Sequence, residues 1–537
     1  MIDFDVIVIG SGAGGGVAAW KFAERGKRVL VLERGKMYPP GWTGRDHLRN
    51  HRFSRYGHNT GPELEGNPRV FVSPDGAEGV FRPNDGAYQN NAMAVGGGTR
   101  VYGAQAWRFH PLDFRMATTY GVPQGSSLAD WPFDYKELSP YYELIEWELG
   151  VSGDGPSSNM PPRREYPMES LPATYRTRPL QAAADRLGWA HQRIPMLINS
   201  RKFGGRGACI GGQTCVGFGC PSEAKAGTQN TVLPKALAKP GCELWTEARV
   251  TRLLTDNAGN VIGVVVVCGG QTLEVRADVT VVAAGSIETP RLLLHSRTSR
   301  EPNGIGNNGD WVGRNLQGHF YPGAFAVFDD LVSDLVGPGP TIAITQFNHG
   351  NPGIVGGGML GDDFIPLPVW FAREARPPDV PGYGPEFKAW VRHNYRRSFH
   401  IFGPTQDIPN PESRVTLDPN VLDSLGVPAA RLSGTTHPET VRTALFMRDK
   451  AAEWLRETGA REVWTKSIGL GMSAGQHQAG TCRMAADPSA GVVDAQGRVF
   501  GHENLLICDG SVHVTNGGFN PVLTIMATAL RSASLFR

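Results

Sequence analysis

Residues Gly10-Ser11-Gly12-Ala13-Gly14-Gly15 spell G-x-G-x-x-G, a spacing that lets main-chain N–H groups approach a pyrophosphate with no side chain between. Gly10 is expected to make the turn, Gly12 to admit the phosphates, and Gly15 to let a helix pack closely on a strand. Eighteen residues after Gly15 the chain places Glu33, followed by Arg34; this carboxylate is positioned to accept ribose hydroxyls and to repel the extra phosphate of NADP. Further along, Val95-Gly96-Gly97-Gly98-Thr99-Arg100-Val101-Tyr102-Gly103 offers three adjacent glycines against which a flat ring or a pyrophosphate can lie. The C-terminal part carries His477-Gln478-Ala479-Gly480 and, after Asp509-Gly510-Ser511, the run Gly517-Gly518-Phe519-Asn520-Pro521. A neutral histidine suits a base at cellular pH, and an amide side chain donates a hydrogen bond without competing for protons.

These residues need elements to hold them. Val6-Ile7-Val8-Ile9 is continuously apolar, as a parallel strand buried on both faces is. A helix is predicted from Gly16 to about Glu24, stopped at Gly26, then a second buried strand over Val29-Leu30-Val31-Leu32. The fingerprint therefore sits in a complete βαβ unit. Another strand is predicted from Ala277 to Ala283-Ala284-Gly285, leading by a sharp turn into a helix that contains Thr289-Pro290-Arg291-Leu292-Leu293, and a further one over Asn504 to Cys508.

The chain has 537 residues, 69 of them glycine, with 40% hydrophobic and 19% charged residues and a formal charge of +2. Such a composition supports a large core and excludes disorder and collagen. Without a Lys/Arg-rich run, nucleic acid is not an expected partner. No apolar stretch reaches membrane-spanning length, so no membrane partner is expected either. The opening Met1-Ile2-Asp3-Phe4-Asp5 has no basic region and no apolar segment of helical length, which predicts a cytoplasmic protein. Seven cysteines suit reduced thiols. Cys209, Cys215 and Cys220 do not have ferredoxin spacing, so no metal is expected and a glycine-rich structural loop is the reading of that stretch. Arg396-Arg397 precedes a strand pattern in which one face is solvated.

Taken together, the fingerprint, Gly96 to Thr99, Gly285-Ser286 with Thr289-Pro290-x-Leu292-Leu293, Val312-Gly313-Arg314-Asn315-Leu316-x-x-His319, and the His477 and Asn520-Pro521 segments resemble the glucose/methanol/choline oxidoreductases, FAD-dependent alcohol oxidases and dehydrogenases. The resemblance spans the chain. It implies that Gly10, Gly12, Ala13, Gly14, Gly15, Glu33 and Arg34 hold the ADP half of FAD, that Val250 contacts adenine through its backbone, and that Ala284, Gly285, Asp509, Gly510 and Pro521 line the cofactor. It also places Gly96, Gly97, Gly98, Thr99, Tyr102 and Gly103 against the isoalloxazine, with His477 as the base and Asn520 as its partner. Val101 stands where covalently flavinylated members have histidine, which implies non-covalent FAD.

The fold expected is α/β: a Rossmann-like FAD-binding domain assembled from 1–50, 80–108, 205–320 and 470–537, and a substrate-binding domain from 110–204 and 321–469 built on an antiparallel sheet. Strands are predicted around Thr341 to Gln346, Ile354 to Leu360, Ser398 to Gly403 and Arg414 to Leu417, and helices near Tyr135 to Leu149 and His437 to Thr458. By resemblance the substrate is a small-molecule alcohol, polar and sugar-like and including amino sugars of the aminoglycoside kind, with oxygen or another acceptor taking the electrons. Asp362, Asp363 and Glu374 are candidates to meet an amino group, though a solvated face is the plainer reading of each. A non-redox lyase on the same fold and oxidation of an apolar alcohol are the alternatives.

Overall fold

The computed structural model describes residues 2–40, 42, 61–83, 85, 88, 89, 91–156, 158–469, 471, 472 and 475–536. Residues 43–50, expected in the nucleotide-binding part, lie outside the described residues. Strand β1 (Ile2–Ile9), helix α1 (Ala13–Glu24) and strand β2 (Val29–Leu32) form the leading unit. The helix starts at Ala13 rather than Gly16. Glycines are poor helix formers, but here tertiary packing outweighs propensity: a Cβ on Gly15 would lie 1.9 Å from the carbonyl oxygen of Gly10, so only glycine brings this turn of helix against the strand.

The first sheet has seven strands, in the order Cys242–Trp245, β2, β1, Gln271–Val282, Val261–Cys268 and Arg249–Thr255, with Leu505–Ile507 also paired to Gln271–Val282. The strand Gln271–Val282 serves two purposes. Its first half pairs antiparallel with Val261–Cys268, and its second half runs parallel to β1 and to Leu505–Ile507. Burial alternates along its first half and becomes continuous at Thr280–Val282, which explains why the sequence revealed only its C-terminal part. The parallel strands all end on one edge, where α/β folds bind ligands.

The second sheet is antiparallel, in the order Glu462–Thr465, Gly323–Val327, Ser398–Phe402, Leu360–Asp362, Ile342–Ile344, His191–Arg193. Helices Thr177–Leu187 and Pro438–Glu457 share one apolar core with it, through Leu180, Ala183, Met447 and Trp454. Two expected strands differ. The strand predicted over 354–360 is reduced to Leu360–Asp362, and Arg414–Leu422 lies in a separate four-stranded sheet. The reason for the second is local: a short turn at Asp423 joins it to Pro428–Ser433, so the neighbours in sequence pair as a hairpin. That hairpin then adds to Arg69–Val72. Helix Tyr135–Leu149 is capped by Asp134, which accepts from the Glu137 N–H at 3.0 Å, and is tied to the body by a buried Arg108–Glu146 pair at 2.6 Å.

Candidate functional site

A cavity of about 420 Å³ runs along the C-terminal edge of the parallel strands. Ile9 and Gly10 at the end of β1, Leu32 and Glu33 at the end of β2, Ala283 beyond Val282 and Asp509 beyond Ile507 all open onto it. The same wall includes Gly12, Ala13, Gly14, Arg34, Gly97, Gly98, Thr99, Tyr102, Gly103, Val250, Ala284, Gly285, Gly510, His477, Asn520 and Pro521. Two singled-out residues do not line it. Gly15 packs on β1, and Gly96 stands behind the wall with its N–H donating to Ser11 Oγ at 3.0 Å.

The donor set suits a dinucleotide. Gly12 caps α1 with no side-chain hydrogen bond, so the first N–H groups of the helix keep an anion-binding face. The volume a Cβ would fill at Gly12 is clear to 4.0 Å, the nearest atom being Gly97 Cα. Beside it Glu33 is buried and accepts from Ser11 N at 3.0 Å, Ser11 Oγ at 2.7 Å and Gly35 N at 2.8 Å, which fixes the carboxylate at the end of β2. Asp509 is equally constrained. One oxygen accepts from Gly285 N at 2.9 Å and Thr289 Oγ1 at 2.6 Å, the other from Ser511 N at 2.8 Å and Ser511 Oγ at 2.5 Å. This carboxylate therefore joins the second strand–helix corner to the C-terminal segment, a staple the sequence did not disclose. Tyr102 donates its hydroxyl to Ala226 O at 2.8 Å, and burial holds its phenol well above the ordinary range.

His477 sits in the left-handed region at φ 61°, a conformation that costs about 1–3 kcal/mol and marks functional positions. Its carbonyl accepts from Asn516 Nδ2 at 2.7 Å, so a residue of the Asn520 loop holds this backbone. Its Nδ1 lies 2.9 Å from His319 Nδ1 and 2.9 Å from the Tyr321 hydroxyl. Burial pushes the His319 imidazole down to about 4, so that ring is neutral. Asn520 presents a buried Oδ1 with no protein partner beside the same cavity. Thr515, in the same loop, donates to Asp113 O at 2.8 Å and accepts from Trp131 Nε1 at 2.9 Å. His319 and Tyr321 carried no role in the sequence reading; the only signal was the position of His319 in the Val312–His319 segment.

A charged cluster was also missed, because its members come from distant segments. Glu288 lies 3.0 Å from Arg69, 3.0 Å from Arg291 and 3.7 Å from Arg34, while Asp423 accepts from Arg291 and Arg249 at 2.5 Å each. Burial works against the charge on Glu288, but the guanidinium groups of Arg291, Arg69 and Arg34 prevail and hold the carboxyl far below its usual range. A folded-state value below the unfolded one means this contribution is complete above pH about 4.5 and fades as pH falls through the folded value. Glu288→Gln is thus expected to cost about 3 kcal/mol at neutral pH, with the gap in melting temperature to the parent closing progressively in acid; a pH-independent gap would contradict the ion-pair origin.

Other sequence candidates fall away from the cavity. Asp362 is fully buried rather than solvated and accepts from Thr341 N at 2.6 Å and Ile342 N at 2.9 Å. Asp363 pairs with His400 at 2.9 Å and Glu374 with Lys466 at 2.7 Å. None of the three lines the cavity: Asp362, at the end of strand Leu360–Asp362, and Asp363 just after it meet local partners, and Glu374 ends the separate helix Pro368–Glu374. Arg396 and Arg397 donate to the carbonyls of Ser333 and Asp329. In the cysteine loop, buried Lys225 donates to the carbonyls of Tyr102 at 3.0 Å, Cys215 at 2.5 Å and Phe218 at 2.9 Å, so an ammonium organises that stretch. Burial pushes the Cys215 thiol up to about 12. Among the described residues no three His, Cys, Asp or Glu side chains are grouped to hold a metal, and all seven cysteines are unbridged.

Comparison with known proteins agrees with this geometry. The N-terminal and C-terminal profiles described as GMC oxidoreductase match residues 4–321 and 409–529. The chain is 33% identical to 6'''-hydroxyparomomycin C oxidase of Streptomyces lividus and 32% identical to paromamine 6'-oxidase of Streptomyces fradiae, in each case over 99% of this chain and 90% of the relative. The fructose dehydrogenase large subunit of Gluconobacter japonicus is 27% identical over 98% of this chain and 97% of its own length. Among solved structures, formate oxidase superposes with a TM-score of 0.66 at 16% identity, covering 100% of this chain and 98% of that one. Pyridoxine 4-oxidase from Mesorbium loti gives 0.64 at 18%, with 99% of each chain covered; both show the shared fold.

Proposed function

Because the chain belongs to the GMC oxidoreductase family and carries out FAD-dependent alcohol oxidation, we propose that His477 is its base, that Asn520 is the amide beside it, and that the substrate is a polar, sugar-like alcohol. The observation that carries the reading is His477 itself: a histidine held at φ 61° on the cavity wall, with Nδ1 engaged by His319 and Tyr321. When bound, FAD supplies the hydride acceptor. His477 takes the hydroxyl proton of the alcohol at Nε2, and the Asn520 amide donates to the substrate oxygen, so proton removal and orientation come from two different side chains. Gly12 and the first N–H groups of α1, at Ala13 and Gly14, hold the cofactor phosphates, with Glu33 for the ribose and the Gly97 to Gly103 loop against the isoalloxazine.

The substrate class is supported by the two aminoglycoside oxidases among the relatives and by the lining itself. Gln105, Gln476, Gln478 and Tyr321 offer amides and a hydroxyl, beside the rings of Phe364 and Phe402. This is a wall suited to hydroxyl groups and to the apolar faces of a sugar ring. With Asp362, Asp363 and Glu374 engaged elsewhere, an amino group on the substrate is not required for recognition by these acids. An anaerobic screen with neutral sugars, amino sugars and long-chain alcohols, read at the flavin band near 450 nm, is expected to bleach with the polar alcohols; bleaching by long-chain alcohols alone would overturn the assignment.

The cofactor is dissociable in this proposal, since Val101 offers no nucleophile in the loop that faces it. Flavin fluorescence that stays with the denatured polypeptide on a gel would contradict this. The electron acceptor is oxygen or another oxidant, distinguished by whether peroxide appears when air is readmitted to the reduced enzyme. In this proposal the division of labour is that the seven-stranded mixed sheet, whose strands come from 1–50, 205–320 and 470–537, binds FAD together with the 80–108 loop, and the antiparallel sheet of 110–204 and 321–469, whose hairpin 414–433 lies in the separate four-stranded sheet, covers the substrate. A cytoplasmic location is part of the proposal; among the described residues no helix is long and apolar enough to cross a membrane.

A further inference from the structure

We propose that His319 is a positioning residue that sets the tautomer of His477, so that Nε2 of the His477 ring carries the lone pair; this rests on His477 being the base. His319 Nε2 lies 3.0 Å from Asn516 O and 2.9 Å from Gly517 O. Both are carbonyl oxygens and can only accept, so Nε2 of His319 carries its proton. The ring is neutral, as its burial requires, which leaves a lone pair at Nδ1. Nδ1 of His477 is 2.9 Å away. Two lone pairs at that separation repel, whereas an N–H pointing at one is a hydrogen bond. The hydrogen between the rings therefore belongs to Nδ1 of His477, and the neutral ring is unprotonated at Nε2. The Tyr321 hydroxyl, 2.9 Å from the same nitrogen, then meets that N–H through its oxygen.

The main chain keeps this alignment. Gln317 and Ala479 exchange N–H···O bonds at 3.0 Å in both directions, clamping 317–319 against 477–479. The two carbonyls that orient His319 belong to the loop carrying Asn520. His319 thus registers the base against the amide. When the substrate proton reaches Nε2, His477 becomes an imidazolium whose Nδ1–H still donates to His319, so charge develops with a partner already in place. The ionisable groups facing the pair are Tyr321, His513 and Asp113; His513 is kept neutral by burial, pushed down to about 3.

Two variants separate this role from mere packing. His319→Gln puts an amide N–H where Nε2 donates to the carbonyls but has no acceptor at the Nδ1 position; His319→Asn puts an amide oxygen at that position. With FAD content and substrate KM unchanged, His319→Gln is expected to slow flavin reduction at saturating substrate about 10- to 100-fold, and to move the acid limb of the rate–pH profile to lower pH. His319→Asn is expected to recover most of the rate. Independently of turnover, 15N-histidine spectra of the holoenzyme, with His477 identified by the signals lost in His477→Ala, are expected to show Nδ1 protonated in the parent and a mixture of tautomers in His319→Gln. A parent ring protonated at Nε2, or equal losses in the Gln and Asn variants, or an unchanged His319→Gln, would overturn the proposal. Near-normal reduction by His477→Ala would instead remove the base assignment and leave the spectra to decide the tautomer.

Discussion

His477→Ala is expected to retain FAD and to reduce it with substrate about 10³-fold more slowly than the parent, the scale of a lost general base. The variant should fold. Alanine keeps the backbone, the bond from Asn516 Nδ2 goes to the main-chain oxygen of residue 477, and the half-buried ring packs against His319 and Tyr321 at the cavity wall. Its left-handed φ of 61° costs a β-carbon residue whether the side chain is histidine or alanine. What disappears is the atom that accepts the hydroxyl proton. Anaerobic stopped-flow measurement of the flavin band, after confirming one bound FAD per chain, gives the rate directly. A loss confined to KM would mean that His477 binds the alcohol without taking its proton.

The second large effect separates Gly12, a glycine of the fingerprint, from Gly14, a position the fingerprint leaves open. A Cβ on Gly14 would lie 1.7 Å from the carbonyl oxygen of Cys508 and 2.7 Å from its carbonyl carbon, distances no packed side chain attains. Gly14→Ala must push α1 off the strand Leu505–Ile507, and the displaced backbone leads straight to Asp509, which holds Gly285 and Thr289. The cost is expected to reach about 3 kcal/mol, with loss of soluble protein whether or not FAD is supplied. Gly12→Ala is different. Its φ of −65° is open to alanine and its nearest neighbour is 4.0 Å away, so the FAD-free protein should melt as the parent does. The added methyl instead enters the cavity where the helix N-terminus meets an anion, and FAD affinity is expected to fall roughly 100-fold, about 2.7 kcal/mol. Thermal melts with and without FAD test both; matching melts for the two apo variants would refute the distinction.

The sequence by itself determined the βαβ unit and the nucleotide fingerprint, and its motifs carried the resemblance to the family. Those features are written in short windows: β-branched runs buried on both faces, glycines at fixed offsets, a carboxylate at the end of β2. Helix Tyr135–Leu149 was legible for the same reason, with Asp134 as its cap and Gly150 as its stop. Only the tertiary structure decided what those windows touch. Asp509 reads from the sequence as a cofactor ligand and in three dimensions is also the staple between two corners. Glu288 meets Arg69 across 219 residues, and His319 meets His477 across 158. Periodicity and motif spacing report interactions within a few turns of chain, whereas the tautomer of a base and the charge state of a buried carboxylate are set by partners that arrive from anywhere in it. Asp362 makes the point in reverse: a lone acid in a strand looks solvated until the fold closes Thr341 over it.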